Sequence, residues 1–254
     1  MKPEPPQTLL TVLDLPAAEL RNPQGRGGVI LVCEHASNAI PAALNGLGLD
    51  DAGRVSHAAW DIGAYDLALA MSKILDAPLV TSRVSRLVYD CNRPPEAPSA
   101  IPAQSELIAV PGNLNLTALD HARRVAEVYE PFQKLLRATI DAAPLPPVLI
   151  TIHSFTPVYF GQHRQTELGI LHDTDARFAL AMLRAAQSLG GVKAESNAPY
   201  AAQDGVTHTL REHAVKRGLH NAMLEIRNDL IATPKAATAM AAELCKIVVK
   251  AMAE

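Results

Sequence analysis

Three short apolar runs dominate the hydropathy pattern, within Gly28-Val-Ile-Leu-Val-Cys-Glu-His35, Pro147-Val-Leu-Ile-Thr-Ile-His-Ser154 and His220-Asn-Ala-Met-Leu-Glu-Ile-Arg227. They are rich in β-branched side chains and do not alternate with polar residues, as expected of parallel strands buried on both faces. Each carries a His or a Glu at or near its end, and parallel sheets deliver functional side chains at the carboxyl ends of their strands. Residues 78–82 and 168–171 read as further strands.

Between the strands the apolar positions recur at helical spacing. Ile62–Leu75 is one such stretch, with Asp61 placed to cap it. Thr117 to about Ala142 is a second, which Pro131 is expected to kink or break. Asp175–Leu189 is a third, ended by Gly190-Gly191. Residues 205–217 stop at Gly218, and the last helix starts at Thr233-Pro234, a cap followed by a first-turn proline. Arg83–Arg93 reads as an extended polar segment halted by Pro94-Pro95, with a proline-rich loop over 94–112 and a polar loop over 157–167. Strands alternating with helices predict an α/β fold, a mostly parallel sheet between helical layers, as a single domain over 28–254. Residues 1–27 are expected to form an N-terminal extension, its first eight residues disordered or loosely draped.

Composition narrows the function. Of 254 residues, 48% are hydrophobic and 19% charged, ordinary for a soluble enzyme, and a net charge of −3 provides no basic footprint for nucleic acid or a membrane surface. No run approaches the roughly 18 apolar residues of a membrane span, and no signal core is present. The three cysteines, Cys33, Cys91 and Cys245, are odd in number and far apart, which points to buried thiols in a reducing cytoplasm. The oligomeric state is left open.

The strand-end residues suggest a mononuclear zinc hydrolase. A catalytic zinc takes about three protein ligands and one open position, and His35, Asp61 and His153 are the best candidates. Singly, each has a plain structural role, a loop hydrogen bond for the histidines and a helix cap for Asp61; jointly they read as a site. His57 is an alternative ligand or a neighbour of one. His208 and His213 lie about 140° apart on a helix, so they read as surface or loop histidines. Glu225, a carboxylate inside an apolar strand, is the candidate general base, or else the partner of an arginine. Arg83, Arg86, Asn92 and Arg93 crowd one segment with Asp90 and suit a carboxylate substrate or an oxyanion, or else form a solvated segment with an arginine paired to Asp90. Ser154 lacks a nucleophile elbow, and no phosphate-binding glycine loop is present.

Val32-Cys-Glu-His-Ala-Ser-Asn-Ala-Ile-Pro41, His57-Ala-Ala-Trp-Asp-Ile-Gly63, Ser85-Arg-Leu-Val-Tyr-Asp-Cys-Asn-Arg93, Ile152-His-Ser154 and Leu224-Glu-Ile-Arg227 together resemble the N-formylglutamate amidohydrolase family. That family is similar to zinc carboxypeptidases and aspartoacylase, which implies a phosphorylase/hydrolase-like α/β/α fold with a mixed sheet. The resemblance carries His35 and His153 over as zinc ligands. The third ligand of those relatives, a Glu three residues after the first His, falls here on Asn38, and Asp61 is inferred to replace it. It also implies Arg86 at the oxyanion, Asn92 and Arg93 on the substrate carboxylate with Arg83 nearby, and Glu225 as base. The implied reaction is zinc-dependent hydrolysis of an N-acylated amino acid, N-formylglutamate first, in amino-acid catabolism; another divalent ion suits the same ligands. Its rivals are an amidase of the same fold acting on another N-acyl amino acid or a cell-wall peptide, and a non-catalytic carboxylate-binding protein.

Overall fold

The computed structural model describes residues 8–14 and 16–254. The expectation of disorder over residues 1–8 falls almost wholly outside the described residues. Seven strands form one sheet: β1 (Ala18–Arg21), β2 (Val29–Cys33), β3 (Leu79–Ser82), β4 (Val148–Phe155), β5 (Leu168–Leu171), β6 (Ala194–Ser196) and β7 (Asn221–Arg227). Their spatial order is β1-β3-β2-β4-β7-β5-β6. The β3, β2, β4 and β7 strands are mutually parallel, β5 and β6 run together antiparallel to β7, and β1 is antiparallel to β3. The α/β expectation of a mostly parallel sheet therefore holds. The supposed N-terminal extension contributes its edge strand, Ala18–Arg21, too short and mixed to stand out in the hydropathy pattern.

The helices are α1 (Asp51–Val55), α2 (Ala64–Ile74), α3 (Ala118–Arg124), α4 (Glu130–Asp141), α5 (Arg177–Leu189), α6 (His208–His213) and α7 (Pro234–Met252). No helix among the described residues is long and apolar enough to cross a membrane. The central strands show why their sequences carry no alternation. Val29, Leu31 and Cys33 of β2 join Ile150, Ile152 and Leu224 in a core with Leu67 of α2, Phe178 of α5 and Leu244 of α7. Ile30 and Val32 face the other way, into a second core with Leu149, and with Phe132 and Leu136 of α4. Both faces of β2 are dry, so its positions are all apolar.

Pro131 does not break its helix. A π turn, Val125–Tyr129, joins α3 to α4, and the Glu130 amide donates to Val125 O five residues back. The wider turn accommodates the proline ring ahead of which it lies. Arg83–Arg93 is not extended: Val88 N donates to Ser85 O and Arg93 N to Asp90 O, folding it into turns against the second core. Buried Arg124 holds this segment to the loop after it, donating to Val88 O at 3.1 Å and Asn113 Oδ1 at 2.6 Å.

Asp61 does not cap α2. The helix starts at Ala64 behind Gly63, which is left-handed at φ 81°, and a Cβ there would lie 2.4 Å from Ile231 O. Only glycine satisfies both demands, and the tight turn frees the Asp61 side chain for other contacts. Gly63→Ala should therefore destabilise the fold by about 1–3 kcal/mol of overpacking beyond the left-handed penalty. Gly205→Ala, also at positive φ (71°) but with open space around it, should lose only that penalty of about 1–2 kcal/mol. Urea melts of the two variants measure the difference.

Candidate active site

The carboxyl ends of β2, β4 and β7 lie side by side. His35 follows β2 by two residues, His153 lies near the end of β4, and Glu225 pairs in register with His153 on the adjacent strand. Alternation along β4 and β7 turns His153 and Glu225 to the face shared by Leu149 and Met223, away from the α2/α5/α7 core. Asp61 is docked by its own backbone, its amide donating to His35 O at 3.0 Å.

Three donor atoms converge. His35 Nδ1 and His153 Nδ1 are 3.2 Å apart, and Asp61 Oδ2 lies 3.2 Å from the first and 3.0 Å from the second. All three residues are buried. The near-equilateral triangle fits a small divalent cation, because bonds of 2.0–2.1 Å in tetrahedral array put neighbouring ligands ~3.3 Å apart. The outer imidazole nitrogens are each held by a carboxylate. His35 Nε2 lies 2.7 Å from Asp90 Oδ1, and His153 Nε2 lies 3.2 Å from Glu34 Oε2. An ionised carboxylate only accepts; with a cation in place of a proton among the three inner donors, Nε2 would carry the proton and the Nδ1 lone pair would point inward, the arrangement that orients metal-binding histidines. This group could hold a metal ion.

The electrostatics agree. Burial pushes the Asp61 and Asp90 carboxyls up, but both end well below the ordinary range, held there by His35 and Arg86, joined by His153 at Asp61 and Arg93 at Asp90. Burial likewise raises Glu34, and His153 outweighs it. Burial alone would lower His153, yet Glu34 and Asp61 lift it well above its usual value. Three ionised carboxylates against Arg86 and Arg93 leave the centre short of positive charge, which a proton or a metal cation supplies.

Glu225 is different: burial drives its carboxyl up to about 7, in the range suited to a base at neutral pH. Its Oε2 is buried and meets no hydrogen-bond partner among the described residues. Arg86, in contrast, is divided between two carboxylates, with Nη1 on Asp61 Oδ1 and Nη2 on Asp90 Oδ2, both at 3.2 Å. These groups line a cleft of about 250 Å³ that also exposes Arg93, His57 and the Ser105, Glu106, Tyr159, Tyr200 and Asp204 side.

The other sequence candidates separate clearly. Arg83 does not reach the cleft: it is exposed at the end of β3, its Nη1 3.4 Å from Pro16 O. Asn92 borders the cleft but is almost wholly buried, its amide clamping the 206–209 segment through Val206 O and Thr209 N. Arg93 donates to Asn92 O at 2.9 Å and keeps the rest of its fork for the cleft. His57 Nδ1 stands 3.8 Å from Asp61 Oδ1, outside the triangle, and burial lowers it to about 4. Asn38 is remote, donating to Arg54 O. The Ser154 hydroxyl is spent on Ile62 O. His208 and His213 are not surface histidines: both are buried against the helical layer, His208 with the Tyr129 hydroxyl and His213 with Gln133 Oε1. Each finds its own partner, so lack of a shared face did not mean exposure.

Glu34 and Asp90 as the groups behind the imidazoles are not visible in sequence, although each sits within a chemically crowded stretch. Glu106, Tyr200 and Asp204 come from loops and Tyr159 from a two-residue hairpin strand, and they carry no pattern.

The chain matches the family model described as N-formylglutamate amidohydrolase over residues 27–232. The crystal structure of gene product Atu2144 from Agrobacterium tumefaciens is 46% identical, with a TM-score of 0.94, covering 96% of this chain and 98% of that one. N-formylglutamate amidohydrolase from Ralstonia eutropha JMP134 shares the fold at 15% identity and a TM-score of 0.69, covering 93% and 97%. No curated protein is significantly similar. The match takes in every strand of the sheet but the edge strand β1 and every residue of the cluster, and the chain belongs to the N-formylglutamate amidohydrolase family, as an amidohydrolase.

Proposed function

We propose that this amidohydrolase is zinc-dependent and cleaves the amide of N-acylated amino acids, with N-formylglutamate, giving formate and glutamate, as the leading substrate. The observation that carries this reading is the triangle of His35 Nδ1, His153 Nδ1 and Asp61 Oδ2, set beside a buried Glu225 with an unpartnered Oε2. Zinc held by His35, Asp61 and His153 supplies Lewis-acid polarisation and activation of water when bound. Glu225 accepts the proton of the attacking water as its oxygen bonds to the acyl carbon. It then returns that proton to the amine nitrogen as the C–N bond breaks, a reversal that a carboxyl titrating near neutrality performs readily. Arg86 holds Asp61 and Asp90 in place and directs its remaining N–H groups to the negative oxygen. Arg93 forks onto the carboxylate of the substrate, and Asn92 supports it by fixing the 206–209 wall.

Three measurements test the reading. His35→Ala, His153→Ala and Asp61→Ala should each lose most bound zinc by metal analysis, whereas Asn38→Ala retains it; a zinc-replete Asp61→Ala would remove Asp61 from the ligand set. Glu225→Gln should keep its zinc and lower kcat by about 10²–10⁴-fold on N-formylglutamate, and a wild-type rate would reduce Glu225 to a strand residue. Arg93→Ala should lose about 10- to 150-fold in kcat/KM on an N-acyl amino acid, the equivalent of a charge-assisted bond of roughly 1.5–3 kcal/mol. It should lose much less on the matching carboxamide, whereas Arg86→Ala should fall on both alike. Equal losses on acid and amide for Arg93→Ala would overturn the carboxylate role.

A further inference from the structure

One wall of the cleft is built in a way the reaction as described leaves unused. Arg164 is stacked among three aromatic rings, its guanidinium carbon 4.3 Å from the Tyr159 centroid, 5.0 Å from Tyr200 and 5.4 Å from Phe155. Cation–π contact on this scale fixes a flexible side chain in one pose. From that pose Arg164 Nη1 donates to the Tyr200 hydroxyl oxygen at 2.9 Å. A phenol that accepts from a guanidinium still has its own proton to give, and among the described residues no acceptor meets it. Tyr200 lines the cleft with Glu225, Arg86 and the His-Asp-His triangle. Glu225 and Asp61 both bear on its ionisation, which after burial pushes the phenol up to about 12, so it remains a protonated donor at neutral pH. Across the same space Glu225 Oε2 is a buried acceptor without a partner. The cleft thus offers Glu225 Oε2 as an unused acceptor and the Tyr200 hydroxyl as an unused donor. Arg86 is a divided donor, two of its N–H groups being given to Asp61 and Asp90.

We propose that Tyr200 is a further catalytic residue, donating its hydroxyl proton in a hydrogen bond to the acyl oxygen as negative charge gathers there, and that Arg164 is the positioning residue that fixes and polarises it. The inference rests on the amidohydrolase reading of the same cleft. A donor aimed at charge that exists only in the transition state changes turnover rather than substrate affinity. The guanidinium bond drains electron density from the phenol oxygen and strengthens its O–H as a donor. No proton is transferred: the hydroxyl stays intact, and the base chemistry remains with Glu225.

The test uses the zinc-replete full chain. Tyr200→Phe, which keeps the ring against Arg164, should lower kcat on N-formylglutamate by about 10²-fold with KM within about threefold. By titration calorimetry it should weaken binding of N-(methylphosphonyl)glutamate, a tetrahedral anion, by a similar factor, and leave the affinity for glutamate unchanged. Arg164→Met should lower kcat about tenfold alone and add nothing in the Tyr200→Phe background, and Arg164→Lys should recover part of the loss. Tyr200→Phe with wild-type kcat and wild-type phosphonyl affinity overturns the proposal, leaving Tyr200 as wall. So does a loss confined to KM. Glu225→Gln is assayed in parallel: if it abolishes turnover while Tyr200→Phe is silent, this inference alone fails. A wild-type protein that neither hydrolyses N-acyl amino acids nor binds the phosphonyl anion overturns both readings.

Discussion

Two imidazoles trapped between carboxylates set the terms for the rest of this structure. His35 lies between Asp90 and Asp61, His153 between Glu34 and Asp61, and Arg86 bridges Asp61 to Asp90. Burying that many charges is costly, and a buried ionic network is poor at adding net stability. Each member is held because it has a partner at near 3 Å, so removing one leaves another desolvated and alone. The network specifies which nitrogen of each histidine faces the centre, and through it the distance between the donors.

The fold exists around this network as a rigid frame. Cores on both faces of the sheet seat β2, β4 and β7 without freedom to slide, because every residue of β2 and nearly every residue of β4 and β7 packs on one face or the other. A one-residue slip of β7 against β4 would separate Glu225 from His153 and turn one of them away. Glu34, His35, His153 and Glu225 are accordingly on strands or one or two residues beyond them, where precision is greatest, whereas Asp61, Arg86 and Asp90 come from the segments before α2 and after β3. The substrate side of the cleft is assembled differently, from loops. Arg124, Asn92 and Arg164 are the pins of that side, each tying together segments far apart in sequence.

Charge is distributed to match. The centre is rich in carboxylates and calls for a cation, whereas Arg93 brings a guanidinium to the lining of the cleft. Glu225 sits between the two regimes, with burial and the Asp61 charge lifting it and His153, His35 and Arg86 opposing them. A carboxyl balanced in that way can both take and return a proton, a capacity that the fully ionised Asp61 and Asp90 lack.

Much of this was written in the local sequence. Apolar runs without alternation marked the central strands, because burial on both faces leaves no polar position, and His35, His153 and Glu225 stood out at their ends. Thr233-Pro234 marked a helix start by chain stereochemistry alone. What remained hidden depended on pairing across the chain. Nothing near Asp90 in sequence says that it backs His35, 55 residues away, nor near Glu34 that it backs His153. Arg83 and Arg93 are equivalent in composition, yet one leaves at the end of β3 towards solvent and the other turns into the cleft, a choice made by the turns that Arg124 and the second core impose. The histidines of α6 read as exposed because a six-residue helix shows no apolar face of its own, and their burial came from partners far away in sequence, Tyr129 for His208 and Gln133 for His213. Tertiary structure decided these points for one physical reason: a charged or polar side chain takes its role from the partner it meets, and in this protein the partners come from other strands and loops.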